Sequence, residues 1–196
     1  MVFAFYILKN SKKGLSKGFT MTEFIVVVSI IVIILSITIS NFSQIRLQFS
    51  LSRVAYKFAQ DVRRAQDMAM SSVQYKDANG VVQSISGYGV YIDPDTLGSK
   101  KYIIYADKAP GNQKYDASDY TVETIDFSKT EPGVKIKEIL YIDGANLSIN
   151  YNSSDLKTTI TNPGNNSGVN VYFSFESDVT VTKKVGVNIS GLIEVP

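Results

Sequence analysis

Between Glu23 and Arg46 the chain runs FIVVVSIIVIILSITISNFSQI without a single charged residue. Its densest part, residues 24–39, is interrupted only by Ser29, Ser36 and Thr38. A helix of about 20 residues covers the ~30 Å hydrocarbon core of a bilayer, so the run with its flanks is long enough to cross. So many β-branched residues would weaken a helix in water. In lipid any alternative leaves backbone groups unpaired at several kcal/mol each, and helix wins. Ser and Thr return their hydroxyls to helix carbonyls and do not spoil the span. Lys9, Lys12, Lys13 and Lys17 precede it with no acid among residues 1–18. That bias predicts a cytoplasmic N-terminus and export of the C-terminal bulk. A cleaved secretory signal shares the basic start, but its apolar region is usually about 7–15 residues and ends in A-x-A. Ser36-Ile37-Thr38 and Thr38-Ile39-Ser40 offer small residues at that spacing, so this alternative stays open. A plain anchor accounts badly for Glu23, because a carboxylate at the edge of lipid is expensive without a partner.

Composition narrows the chemistry of the rest. The 196 residues contain no His, no Cys and no Trp. Without histidine there is no Ser-His-Asp catalysis and no histidine-bound zinc; without cysteine there are no thiolate nucleophiles, iron–sulfur clusters or disulfides. The fold is held by its own core, and the compartment is left open. The formal charge of +2 is local: residues 1–18 carry +4, and the remaining 16 basic and 18 acidic residues sum to −2. Nothing here argues for a broad basic surface that grips nucleic acid.

After the span, Leu51, Val54, Ala55, Phe58, Val62, Ala65, Ala69 and Val73 recur in steps of three and four. They predict an amphipathic continuation of one helix from about Thr20 to about Tyr75. Asp61–Arg64 and Arg63–Asp67 stand at ion-pair spacing on it. Asp77-Ala78-Asn79-Gly80 then breaks the helix with turn chemistry. From Val81 the period becomes two. Residues 88–92 and 101–105 flank Asp93-Pro94-Asp95-Thr96-Leu97-Gly98 as a hairpin, and further runs lie at 121–127, 134–140, 147–151, 169–175, 179–189 and 192–195. Pro132-Gly133, Asp143-Gly144, Asn162-Pro163-Gly164-Asn165-Asn166 and Ser190-Gly191 punctuate them. The expected fold class is α+β, a long N-terminal helix packed on an antiparallel β-sheet domain.

The junction Lys17-Gly18-Phe19-Thr20-Met21-Thr22-Glu23-Phe24, followed by the apolar run, resembles the class III signal of type IV pilins and pseudopilins. The resemblance implies that 1–18 is a basic leader cut after Gly18 by a prepilin peptidase, and that Phe19 becomes an N-methylated N-terminus. Glu23, fifth in the mature chain, would correspond to the glutamate that sets subunit register during assembly. Residues 19–46 would form the transmembrane and assembly half of the helix, 47–76 its amphipathic half, and 77–196 the antiparallel β domain. The implied partners are the peptidase, other pilin or pseudopilin subunits and the inner-membrane assembly platform. No enzyme activity, cofactor, metal or nucleic-acid partner is expected. Ala65-Gln66-Asp67-Met68-Ala69-Met70 and the closing segment around Gly191 are similar, more loosely, to the GspH/FimT-like group of minor pilins and pseudopilins. Here Asp67 replaces the usual arginine, and residues 191–196 hold Glu194 and no cation. The alternative is a signal-anchored exported adhesin or binding domain that never polymerises.

A freed amino group at Phe19 gives this arrangement its physical logic. A carboxylate at the mouth of a lipid-embedded helix seeks a cation, and the N-terminus of a neighbouring subunit supplies one. In low dielectric such a pair selects one axial stagger rather than adding much stability. Glu23 also suits the first turn, where the helix dipole favours negative charge. Asp93-x-Asp95 and Asp143-Gly144-Ala145-Asn146 have oxygen ligands but lack EF-hand spacing, and read as turns. Lys183-Lys184 reads as an exposed strand end. The tyrosines at 88, 91, 102, 105, 141, 151 and 172 read as sheet packing. Lys76, Asp77, Glu123 and Asp126 form no acid–base pair at readable spacing.

Overall fold

The computed structural model describes residues 18–140, 146–161 and 167–196. Helix α1 runs Met21–Met70. The chain divides between Gln44 and Ile45 into two units. In the first, the helical stretch Met21–Ile39 is long and apolar enough to cross a membrane, and none of it is buried in protein. Its hydroxyls behave as their chemistry requires: Ser29 donates to the Ile25 carbonyl, Ser36 to Val32 and Thr38 to Ile34, each at 2.8–2.9 Å.

The second unit, Ile45–Pro196, holds the amphipathic part of α1 and all the strands. These are β1 (Tyr75–Lys76), β2 (Val82–Gln83), β3 (Ile85–Ile92), β4 (Lys101–Lys108), β5 (Tyr120–Asp126) and β6 (Val134–Leu140). They continue with β7 (Leu147–Asn152), β8 (Thr158–Ile160), β9 (Gly168–Phe175), β10 (Thr182–Asn188) and β11 (Ile193–Glu194). One sheet has the order β5-β4-β3-β7-β8, a second β11-β10-β9-β6, and β1-β2 is a separate ribbon. Their pairings are antiparallel, so the α+β expectation holds.

Period-two alternation decides which face of each sheet is dry. Tyr88, Val90 and Ile92, Tyr102, Ile104 and Ala106, and Leu147, Ile149 and Tyr151 turn the five-stranded sheet into one wall of the core. Val134, Ile136, Val169, Val171, Phe173, Val185 and Val187 supply the other wall. Helix residues Leu51, Val54, Ala55, Phe58, Ala59, Val62, Ala65 and Ala69 join the same cluster. Phe58 touches both walls, with its ring 5.1 Å from Tyr102 edge-on and 5.5 Å from Phe173.

Three expectations need correction. The helix ends at Met70, five residues before Tyr75, in a Schellman motif: Val73 N–H donates to the Met68 carbonyl and Ser72 N–H to Ala69, with Ser72 at φ 47°. Serine is an uncommon residue for that left-handed position, so no glycine signal marked the stop. Val73 therefore lies off the helix and is exposed. Second, the segment 77–80 does not break the helix; it is the turn of the β1-β2 ribbon, where Asp77 Oδ1 accepts from the Asn79 and Val81 N–H groups. Third, the helix charges pair otherwise than their spacing suggests. Asp61 is buried and accepts from Lys57 Nζ (2.7 Å) and Tyr102 Oη (2.6 Å). Arg64 reaches Glu123, and Arg63 donates to the Ile193 carbonyl. Strand β8 and the β1-β2 ribbon had no counterpart among the expected runs. Asp143-Gly144-Ala145, Asn162-Pro163-Gly164-Asn165-Asn166, Tyr141 and the leader up to Lys17 lie outside the described residues.

Candidate functional site at the start of the helix

Gly18, Phe19 and Thr20 are exposed and precede the first helical residue, Met21. Thr20 is the N-cap. Its Oγ1 accepts from Glu23 N–H at 3.2 Å, and Glu23 Oε2 accepts from Thr20 N–H at 3.0 Å and from the Thr20 hydroxyl at 2.9 Å. This is a capping box: two N–H groups that the first turn leaves without helical partners are satisfied by each other's side chains. The geometry places the capping role directly, and both bonds use Oε2, leaving Oε1 outside the box. The carboxylate is thus oriented at the helix mouth by Thr20.

Two further polar arrangements lie in the second unit. Asp93 caps the β3-β4 loop: its Oδ1 accepts from Asp95 and Thr96 N–H, and its Oδ2 from Tyr91 Oη. Burial, then the bond and charge of Asp93, push the Tyr91 phenol up to about 12. The turn reading of Asp93-x-Asp95 is therefore the one the geometry supports. On the outer face of the five-stranded sheet, Tyr105, Asp107, Ser148 and Asn150 form a buried polar layer that sequence reasoning missed. Tyr105 Oη lies 2.6 Å from Ser148 Oγ, and Asn150 Nδ2 donates to Tyr105 Oη and Asp107 Oδ2. The loop after β4 covers it: Tyr115 packs on Tyr91 and Tyr105, and Gln113 N–H donates to Asp107. Alternation within β4 and β7 put these groups on one face, but nothing in the sequence said that a loop would seal them. Lys183 donates to the Pro196 carbonyl, and neighbouring Lys184 is exposed. Among the described residues no group of three acidic side chains is placed to hold a metal ion.

Comparison with family models, with curated proteins and with solved structures finds no match to this chain.

Proposed function

We propose that the protein is a minor pilin or pseudopilin subunit, inserted in the inner membrane with its N-terminus cytoplasmic, cut after Gly18, and assembled into a filament through its apolar helix. The observation that carries this reading is the helix start. A short segment exposes Gly18-Phe19, and directly behind it an oriented carboxylate opens an uncharged helix of membrane-spanning length. Cleavage after Gly18 would put an amino group four residues before Glu23. On a neighbouring copy that group is the natural partner for Glu23 Oε1, which makes no bond among the described residues. The work is assembly and recognition rather than catalysis, with the prepilin peptidase, other subunits and the assembly platform as partners. Whether such a filament serves secretion, motility, adhesion or DNA uptake depends on those partners.

Mass spectrometry of the membrane-extracted protein tests processing: the first residue should be an N-methylated Phe19. An intact leader, or a start beyond Ser40, would refute the proposal and favour an anchored or secreted binding domain. Substitution then separates capping from register. Thr20→Ala removes the cap and keeps the charge, so incorporation into sheared filaments should persist. Glu23→Leu should remove it, with Glu23→Gln intermediate. Equal loss from Thr20→Ala and Glu23→Leu would reduce Glu23 to a cap.

A further inference from the structure

The four-stranded sheet contains a short internal repeat whose two copies pair with each other. Gly168-Val169-Asn170 on β9 and Gly186-Val187-Asn188 on β10 run antiparallel in register, with Gly168 opposite Asn188, Val169 opposite Val187 and Asn170 opposite Gly186. Both valines are buried in the core, so both glycines and both asparagines point to the outer face. The result is a groove of about 240 Å³ floored by glycine, walled by two amides placed diagonally, and closed at one side by Leu192 and Glu194.

The glycines keep it open for different reasons. A Cβ at Gly168 would stand 2.8 Å from the Val187 carbonyl oxygen and 3.2 Å from Asn188 Cα, so backbone forbids it. At Gly186 a Cβ would meet only Asn170 Oδ1, at 3.0 Å, so the Asn170 amide leans across the strand over that glycine. Asn188 is held by its own turn, where Oδ1 accepts from Ser190 N–H at 3.1 Å, and among the described residues Nδ2 has no partner.

We infer that this groove binds a neutral monosaccharide unit, free or at the end of a glycan. An asparagine amide presents a donor and an acceptor side by side, which matches a pair of adjacent hydroxyls, each able to accept and donate. Leu192 offers an apolar surface to the C–H face of a sugar ring. Glu194 accepts from a hydroxyl and repels phosphate or an acidic sugar, and among the described residues no lysine or arginine lines the groove. The volume lies below the ~300–1,000 Å³ typical of drug-sized pockets, which limits the occupant to about one ring. The assignment is independent of the filament reading.

The test uses the full chain in a zwitterionic detergent without a sugar headgroup, since glycoside detergents would compete. Saturation-transfer difference NMR is recorded with D-glucose, D-galactose, D-mannose, N-acetyl-D-glucosamine and, as a cation probe, lysine amide. At least one sugar should receive saturation and bind. Asn170→Ala should weaken it about tenfold, the equivalent of ~1.4 kcal/mol for one lost hydrogen bond. Gly186→Ala, approaching from the other strand, should weaken it as well by displacing the Asn170 amide. Unchanged cooperative melting shows that each variant is folded. No transfer to any sugar, an affinity unaltered in both variants, or binding of lysine amide alone would overturn the assignment.

Discussion

Two tyrosines on the same wall of the core allow one chemical change to be made with and without a hydrogen bond. Tyr102 and Tyr151 are both almost fully buried. Tyr102 Oη donates to Asp61 Oδ2 at 2.6 Å, whereas Tyr151 Oη has no partner among the described residues. Burial first, then the Asp61 charge, push the Tyr102 phenol far above its ordinary value, so it stays a proton donor at any working pH. A hydrogen bond to a charged group contributes about 1.5–3 kcal/mol, and Tyr102→Phe should destabilise by that amount because Asp61 stays buried with only Lys57. Lys57 is about half exposed (54% for its side chain), so solvent screens its pairing with Asp61 and it does not compensate. For a unit of this size, at about 2–4 °C per kcal/mol, the melting temperature should drop by about 3–12 °C. Tyr151→Phe removes a hydroxyl that has paid for desolvation without a bond, and should leave stability unchanged or raised. Adding Asp61→Leu to Tyr102→Phe should recover part of the loss, since no carboxylate then remains buried without its donor. The assay is thermal melting of the full chain in detergent, followed by the β signal in circular dichroism. Equal losses from both Tyr→Phe changes, or Tyr102 and Asp61 effects that simply add, would refute the reasoning.

Phe58→Ala should cost about 3–5 kcal/mol in the same assay, because it opens a void between Tyr102 and Phe173; a loss under 1 kcal/mol would show that the two walls collapse onto it. Ser72→Gly should stabilise by several tenths to about 1 kcal/mol, relief of the left-handed Schellman position outweighing the extra freedom of glycine in the unfolded chain. Burial pushes the Asp107 carboxyl up; the Gln113 N–H pulls it back and the nearby Asp119 carboxylate adds to the rise. The native chain then holds this proton to higher pH than the unfolded chain, so Asp107 lowers stability as pH rises from its unfolded value of 3.8 through the raised folded one. Melting temperatures between pH 4 and 7 should show a contribution of that sign that disappears in Asp107→Asn; an identical pH slope in the variant would contradict it.

What the sequence determined by itself was whatever depends on short-range pattern. An uncharged run of this length has one stable form in lipid, so the helix of the first unit was legible from residues 24–45 alone. The three-and-four spacing from Leu51 to Ala69 foretold the buried stripe, and period-two alternation located β5, β6, β7, β9 and β11 within a residue, while the runs at 88–92 and 101–105 fell three residues short of β3 and β4 at one end and the run at 179–189 was overlong. The capping box was written in Thr20-x-x-Glu23. Asp61 also had a local signal, three residues past Phe58 and on the margin of the stripe, but local spacing offered Arg64 as its partner. Only the packing of β4 against α1 brought the Tyr102 hydroxyl there and carried Arg64 away to Glu123. The order of strands, the loop that seals Tyr105, Asp107, Ser148 and Asn150, and the pairing of the two Gly-Val-Asn segments likewise required tertiary structure. Each joins residues far apart in the chain, and a pattern with a range of a few residues holds no information about which distant partner the core will bring into register.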